Sequence, residues 1–355
     1  MVNLDDPNVY RQMDPQGMRD RIAEMGWQLK EARDVVSTFP SPGAEYSQAR
    51  NVLILGMGGS AIGGDLVRTL VEGQTRVPLM VSRDYRLPGY VGPDTLAIAS
   101  SYSGGTEETL SATEEALDRG AKVIAVTTGG KLSQMVEQRG GHVLRFQYSA
   151  QPRAALGFSF GLIYGLLAKL GYLEEDRPAM DEAIATAESA PFALGPDVPT
   201  ASNPAKQLAL RLHGRLPVIY GGGILSEVAR RWKGQFNENS KAWAFFEQLP
   251  ELNHNAVVGY EHPADLAGRL YVILLSSSTY HPRVAARVRI TGQILQQRGV
   301  DHQVVAAAGE SPLAQMFDAV MAGDYASYYL AVLNSADPTP VRVIDFLKQQ
   351  LAAIP

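Results

Sequence analysis

The chain of 355 residues contains no cysteine. That excludes disulfides, thiolate nucleophiles and cysteine-ligated zinc, and it fits a cytoplasmic protein without establishing that location. Long apolar runs are missing too. No window reaches the roughly eighteen continuous apolar residues that a membrane-crossing helix needs, and the polar, acidic opening "MVNLDDPNVYRQMDPQGMRDRI" does not read as a signal peptide. Basic residues are not in excess: Lys plus Arg number 32 against 37 Asp plus Glu, a net charge of −5. Nucleic acid is therefore not an expected partner, because it wants a basic face. No basic amphipathic stretch suggests a membrane surface either. The remaining composition, 45% hydrophobic and 19% charged, is that of a folded chain with room for about two domains.

Apolar residues recur at helical spacing in residues 1–40 (Met18, Ile22, Met25, Leu29) until "FPSPG" ends the pattern. Strands and helices then alternate. "NVLILGM", "VPLMVS", "TLAIASS" and "KVIAVTTG" read as buried parallel strands; "AIGGDLVRTLVEG" and "TEETLSATEEALDRG" read as the helices between them. Repeated β-α-β implies a doubly wound parallel sheet. "ALGFSFGLIYGLLAKLGYL" is an apolar helix buried against the sheet or at an interface, and "PFALGPDVPTASNPAKQL" reads as a linker. Beyond it the pattern restarts with "LPVIYGGG", "RLYVILLSSS" and "ITGQILQQRGVDHQVVAA", a weak internal repeat. The expected organisation is a helical arm over 1–45, one α/β domain over 46–185 and a second over 186–355.

In such sheets ligands sit beyond the carboxyl ends of the strands. Two loops of the first half meet there: "GMGGSAIGGD", with Gly59 and Ser60, and "SYSGGTEET", with Ser101, Ser103 and Thr106. Glycines admit close backbone approach, and hydroxyls with free amides at a helix start suit phosphate. Ordinary capping by Thr106 would account for one hydroxyl but not for three around two glycines. The first loop also matches the dinucleotide fingerprint through Gly56, Gly58 and Ala61. The acid that should follow, Asp84, stands farther on than usual and beside Arg83.

With "FNENSKAWAFFEQLPELNHN" and "DPTPVRVIDFLK", these two loops resemble, in order and from about Val52 onward, the bifunctional phosphoglucose/phosphomannose isomerases, which are built from two sugar-isomerase (SIS) domains. The resemblance implies two flavodoxin-like, doubly wound α/β domains with helical N- and C-terminal extensions. It also implies a cytoplasmic homodimer of carbohydrate metabolism (glycolysis and gluconeogenesis) that shares its active sites between subunits. Such an enzyme interconverts glucose 6-phosphate and mannose 6-phosphate with fructose 6-phosphate through a cis-enediolate, without metal or other cofactor. By position, Ser101, Ser103 and Thr106 would hold the phosphate, and Gly59 and Ser60 would touch the sugar. Arg153 would steady the enediolate, Glu238 would be the base, and His254 of the neighbouring subunit would open the ring. Lys348 would be a further site cation, and Thr339 would match the threonine linked to mannose 6-phosphate.

The residue types suit that chemistry. One carboxylate can carry a proton between C1 and C2; histidine can shuttle the ring-opening proton near neutral pH; a guanidinium stabilises an oxyanion with direction. Taken alone, each has a plainer reading. Glu238 could be a surface glutamate, Arg153 a salt bridge to the next helix, and His254 a loop residue whose flanking asparagines fix its tautomer. Lys348 could be a cation in the last turn of a helix started by Thr339 as N-cap and Pro340. His281, in "STYHPR", reads as structural. Two other functions remain: a non-catalytic SIS-type sugar-phosphate regulator, which would need neither base nor ring opener, and a nicotinamide oxidoreductase resting on the fingerprint alone.

Overall fold

The computed structural model describes residues 2–263 and 265–354. The N-terminal arm is three helices, α1 (Pro7–Met13), α2 (Met18–Ala23) and α3 (Met25–Thr38). The four apolar residues at helical spacing are all buried, but they belong to two helices that break at Glu24. Asp14 starts the second of the three by accepting from the amides of Met18 and Arg19 at 2.7 and 3.0 Å.

The first half follows as β1 (Asn51–Leu55), α4 (Gly58–Val71), β2 (Leu79–Ser82), β3 (Thr95–Ser100), α5 (Glu107–Asp118), β4 (Lys122–Thr127), α6 (Gly130–Gln138), β5 (His142–Arg145) and α7 (Leu156–Lys169). Its five strands are parallel in the order β2-β1-β3-β4-β5. That is the flavodoxin-like order, whose ligand crevice lies where the winding reverses, between β1 and β3. The loops after these two strands are the glycine loop and the hydroxyl loop.

Buried α7 packs against α3 and α4. Its glycines explain how closely. A Cβ at Gly157 would stand 2.9 Å from the carbonyl oxygen of Met25, and one at Gly161 would stand 2.7 Å from Ala32 Cβ. The helix is therefore glycine-striped toward the N-terminal arm. The stretch read as a linker is largely helical: Pro191 lies inside α8 (Arg177–Leu194), and α9 (Pro204–Leu212) begins at Pro204.

The second half is β6 (Leu216–Gly222), α10 (Ser226–Glu238), β7 (Phe245–Leu249), β8 (Leu270–Ser276), α11 (Pro282–Gln297) and β9 (His302–Ala306). Its parallel sheet runs β7-β6-β8-β9, the same order with one strand fewer. Gly58 and Gly223 open the helical segment after the first strand of each half with nearly equal φ, +49° and +48°. This supports the internal repeat. Then α12 (Pro312–Leu333) runs buried against α8, α9 and α10, and α13 (Arg342–Leu351) lies exposed at the end. Among the described residues no helix is long and apolar enough to cross a membrane.

Candidate active site

Beyond β3 the chain turns through Ser101–Thr106. Ser101 and Thr106 share a hydrogen bond between their hydroxyls at 3.0 Å, and Ser103 Oγ accepts from the Gly105 amide at 3.3 Å. Gly104 has φ +63°, and a Cβ there would come within 1.8 Å of the Gly129 carbonyl oxygen, so only glycine closes the turn. Thr106 occupies the N-cap of α5, but its side chain makes no capping bond. The Ser101 and Thr106 hydroxyls thus face one another beside a helix start whose amides no capping side chain fills, an arrangement with the donors of a phosphate cradle.

The glycine loop joins this cradle to the rest of the site. Buried Ser60 accepts from the Tyr102 amide at 3.1 Å, and its carbonyl accepts from Ser100 Oγ at 3.3 Å. One residue earlier, a Cβ on Gly59 would lie 2.6 Å from the Pro152 carbonyl oxygen and 2.9 Å from the Arg153 nitrogen. Gly59 therefore lets the turn carrying Arg153 lie against the start of α4.

Arg153 is 3% exposed and almost fully engaged. Its Nε donates to Asn239 Oδ1 at 2.7 Å, and its Nη2 donates to the carbonyls of Pro338 and Thr339 at 2.6 and 2.8 Å. Only Nη1 is left for other work, and it lies 3.4 Å from Glu238 Oε2. Burial draws the guanidinium below its ordinary value, and the Glu238 carboxylate opposes that shift. The anchor is thus not a salt bridge to the following helix, but Asn239, the C-cap of α10, together with the segment before α13.

Glu238 stands between two cavities. One, of about 430 Å³, is lined by Gly59, Arg153, Arg230, Lys233 and Gln235 as well as Glu238. The other, of about 690 Å³, is lined by Lys241, Trp243, Asp337 and Val341 as well as Glu238. The smaller is rich in cations. Arg83 lies on it too, paired with Asp65, whose carboxyl burial raises while Arg83 draws it back. That pairing engages the arginine beside Asp84, where the dinucleotide reading wanted a free ribose-binding acid. The hydroxyl loop does not line either cavity; it reaches the smaller one through Ser60 and Gly59.

A closed ring of hydrogen bonds lies behind Arg153. Asn239 Nδ2 donates to Ser327 Oγ at 3.0 Å, and Ser327 Oγ donates to the Asp324 carbonyl at 2.8 Å. Asp324 accepts from Arg231 at 2.5 Å, and the same Arg231 nitrogen donates to the Arg153 carbonyl at 3.2 Å. Burial pushes the Asp324 carboxyl up, against the pull of Arg231. Sequence reading missed this ring. The available signal was an acid set deep in the otherwise apolar α12.

Two assignments, His254 and Lys348, fall elsewhere within a single chain, and a third, Thr339, stands beside Arg153 but does not cap a helix. His254 ends a 3₁₀ turn (Glu251–His254), is exposed, and makes no hydrogen bond among the described residues. Its asparagines do not orient it: Asn253 bonds Thr291 and Arg287, and Asn255 bonds Glu251 and the Ala256 amide. Lys348 is exposed in the last turn of α13 and faces neither cavity. Thr339 does not cap that helix, whose N-cap is Val341 without a side-chain bond. Thr339 is instead 5% exposed, its amide bonds Asp337 Oδ1 at 2.9 Å, and its Oγ1 is buried without a partner.

The equivalent loop of the second half is filled by its own side chains. Gln315 accepts from Ser277 Oγ at 2.6 Å and donates to Ser278 Oγ at 2.6 Å, and Tyr280 accepts from the Gly222 amide at 3.2 Å. His281 caps α11 by accepting from the Arg283 amide at 3.2 Å, the structural role expected of it. The loop of the first half thus keeps an uncapped helix start, and that of the second is closed by its own side chains.

Comparison with known proteins also finds two α/β halves. Residues 45–167 match the SIS domain, and residues 201–351 match the bacterial phospho-glucose isomerase C-terminal SIS domain. A bifunctional phosphoglucose/phosphomannose isomerase of Caldicellulosiruptor bescii is 46% identical over 340 residues, 95% of this chain and 99% of that protein. One from Thermoplasma acidophilum is 33% identical over 337 residues, 94% and 100% of the two chains. Among solved structures, a glucose-6-phosphate isomerase like protein from Thermus thermophilus shares the fold at a TM-score of 0.61 and 22% identity, covering 96% of this chain and 99% of that one. The chain belongs to the bifunctional phosphoglucose/phosphomannose isomerases, a family of two-SIS-domain isomerases.

Proposed function

We propose that this protein interconverts glucose 6-phosphate and mannose 6-phosphate with fructose 6-phosphate through a cis-enediolate. The observation that supports this most is the pairing of Glu238 with the one free nitrogen of a buried, otherwise fully anchored Arg153, at the edge of a cation-lined cavity. Ser101, Ser103 and Thr106 hold the phosphate; Ser60 and Gly59 form the wall beside the sugar. Glu238 takes the proton from C2 of the open aldose and returns it to C1. Negative charge grows on the enediolate oxygens meanwhile, and Arg153 Nη1 stabilises it because its guanidinium is already fixed. Thr339 Oγ1, buried and unpartnered, is a donor available to the sugar. Lys348 enters the site only if α13 is drawn toward it.

Ring opening needs a proton shuttle, and in this reading His254 supplies it to the site of a partner subunit. Exposed His254 supports a homodimer, as does α13, whose Val343, Phe346 and Leu347 are 81%, 61% and 55% exposed. A place in cytoplasmic sugar metabolism follows from the substrates.

The test is a coupled assay on both aldose phosphates in the presence of EDTA. Turnover of both is expected. Absence of turnover on either, with ligand binding intact, would favour a sugar-phosphate sensor; loss of activity to EDTA would overturn the metal-free route.

A further inference from the structure

Lys241 follows the base by three residues and has φ +53°, a left-handed conformation that side chains rarely adopt. Such a conformation persists where surrounding contacts impose it, and it gathers at functional sites. Here the contacts are visible. Although the residue as a whole is exposed, its Nζ sits among three carbonyls: Glu238 at 2.7 Å, Pro338 at 3.1 Å and Asn239 at 3.4 Å. The Glu238 carbonyl is one of the four that the end of α10 leaves without helical partners, where a cation is favoured. The Pro338 carbonyl is the same one that Arg153 Nη2 holds at 2.6 Å. One ammonium therefore bridges the backbone of the base and the anchor of the arginine.

We propose that Lys241 is a positioning residue for the isomerase site: it clamps the end of the helix bearing Glu238 to the 338–339 segment that anchors Arg153, and so fixes the carboxylate relative to the guanidinium. The inference rests on the function proposed above. Lys241 touches no reacting atom in this scheme; it acts through the two residues that do.

The clamp is sensitive to pH. Loss of solvation around Nζ draws the Lys241 ammonium down to about 8, and the Arg153 charge adds to this; Asp337 and Glu238 oppose it. Arg342 lines the same cavity from α13. A protonated Nζ offers three donors and a full charge to three carbonyls. Above about 8 the charge is lost, and its hold on the carbonyls weakens.

The test compares the whole protein with K241M and K241R in the isomerase assay from neutral to alkaline pH, with melting temperatures alongside. The wild type is expected to lose kcat as pH rises through about 8. K241M should lower neutral-pH kcat by roughly tenfold to a hundredfold with KM little changed, the cost of a small misplacement, and should lack that alkaline limb. K241R should recover most of kcat and move the limb upward. An active wild type with K241M equal to it in kcat and pH profile would overturn the inference and leave the function standing. So would a loss confined to KM, or a kcat loss that only tracks a fall in melting temperature. If K241M does not fold, an unshifted limb in K241R would be equally decisive. An inactive wild type would overturn the function and the inference with it.

Discussion

Arg231 and Asp324 meet at 2.5 Å with both side chains about 2% exposed, and Arg231 also donates to the backbone carbonyl of Arg153. A fully buried ion pair thus props up the residue proposed to meet the negative charge of the reaction. Arg231→Met would strand a buried carboxylate and cost about 3–5 kcal/mol of stability. Replacing both members with apolar residues of similar size should return much of that stability, since desolvation and attraction roughly cancel in such pairs. It should not return activity, because the Arg153 carbonyl stays unheld. Urea unfolding and kcat of the single and double variants decide this. Recovery of both together would make the ring purely structural.

The proposed base and the proposed phosphate cradle are separable by kinetics. Glu238→Gln should lower kcat by about 10²–10⁴-fold while sugar-phosphate binding stays nearly intact. Ser103→Ala with Thr106→Ala should raise KM strongly and change kcat less, because it removes phosphate ligands rather than the base. Wild-type turnover by the first variant refutes the base; an unchanged KM in the second refutes the cradle.

The elements that bear the glycine and hydroxyl loops were legible because their signals are local. β1, β3, β4, β6 and β8 are short apolar runs closed by glycine or serine, and they became the inner strands of the two sheets. β5 and β7 sit at sheet edges, and their charged and polar residues break the apolar run that marks the others. α12 escaped notice because it is buried on nearly all sides, so no 3.6-residue period separates an apolar face from a polar one. The ring behind Arg153 joins residues far apart in sequence, a pairing no local pattern encodes. The cap expected at Thr339 failed for a similar reason. Asp337 takes the Thr339 amide and Arg153 takes the 338 and 339 carbonyls, so the helix begins only after those contacts end.

Gly59 tests whether the fingerprint-like loop serves a ligand or the fold. Its missing Cβ makes room for the backbone of Pro152 and Arg153, which cannot move aside as a flexible side chain would. Gly59→Ala should therefore push the Arg153 turn away and lower kcat by about 10²-fold for a displacement near 1 Å. Phosphate affinity should change less, since the hydroxyl loop bonds Ser60 rather than Gly59. A variant with wild-type kcat and weakened binding would instead make Gly59 a wall for the ligand alone.

Whether His254 acts in its own chain or in a partner's can be decided without a structure of the dimer. In one chain His254 is exposed and lies on neither cavity beside Glu238. If each site draws its base from one subunit and its ring opener from the other, Glu238→Gln and His254→Asn fail in different halves of a site. Mixed and allowed to exchange subunits, two inactive preparations form hybrids in which one site has both defects and the other has neither. Random pairing makes half the dimers hybrid, so about a quarter of wild-type activity should return on mixing. A histidine acting within its own chain would leave every site of every hybrid with one defect, and no activity would return. Mixing followed by the coupled assay therefore separates the two arrangements, and size-exclusion chromatography of the mixture shows whether the dimer forms at all.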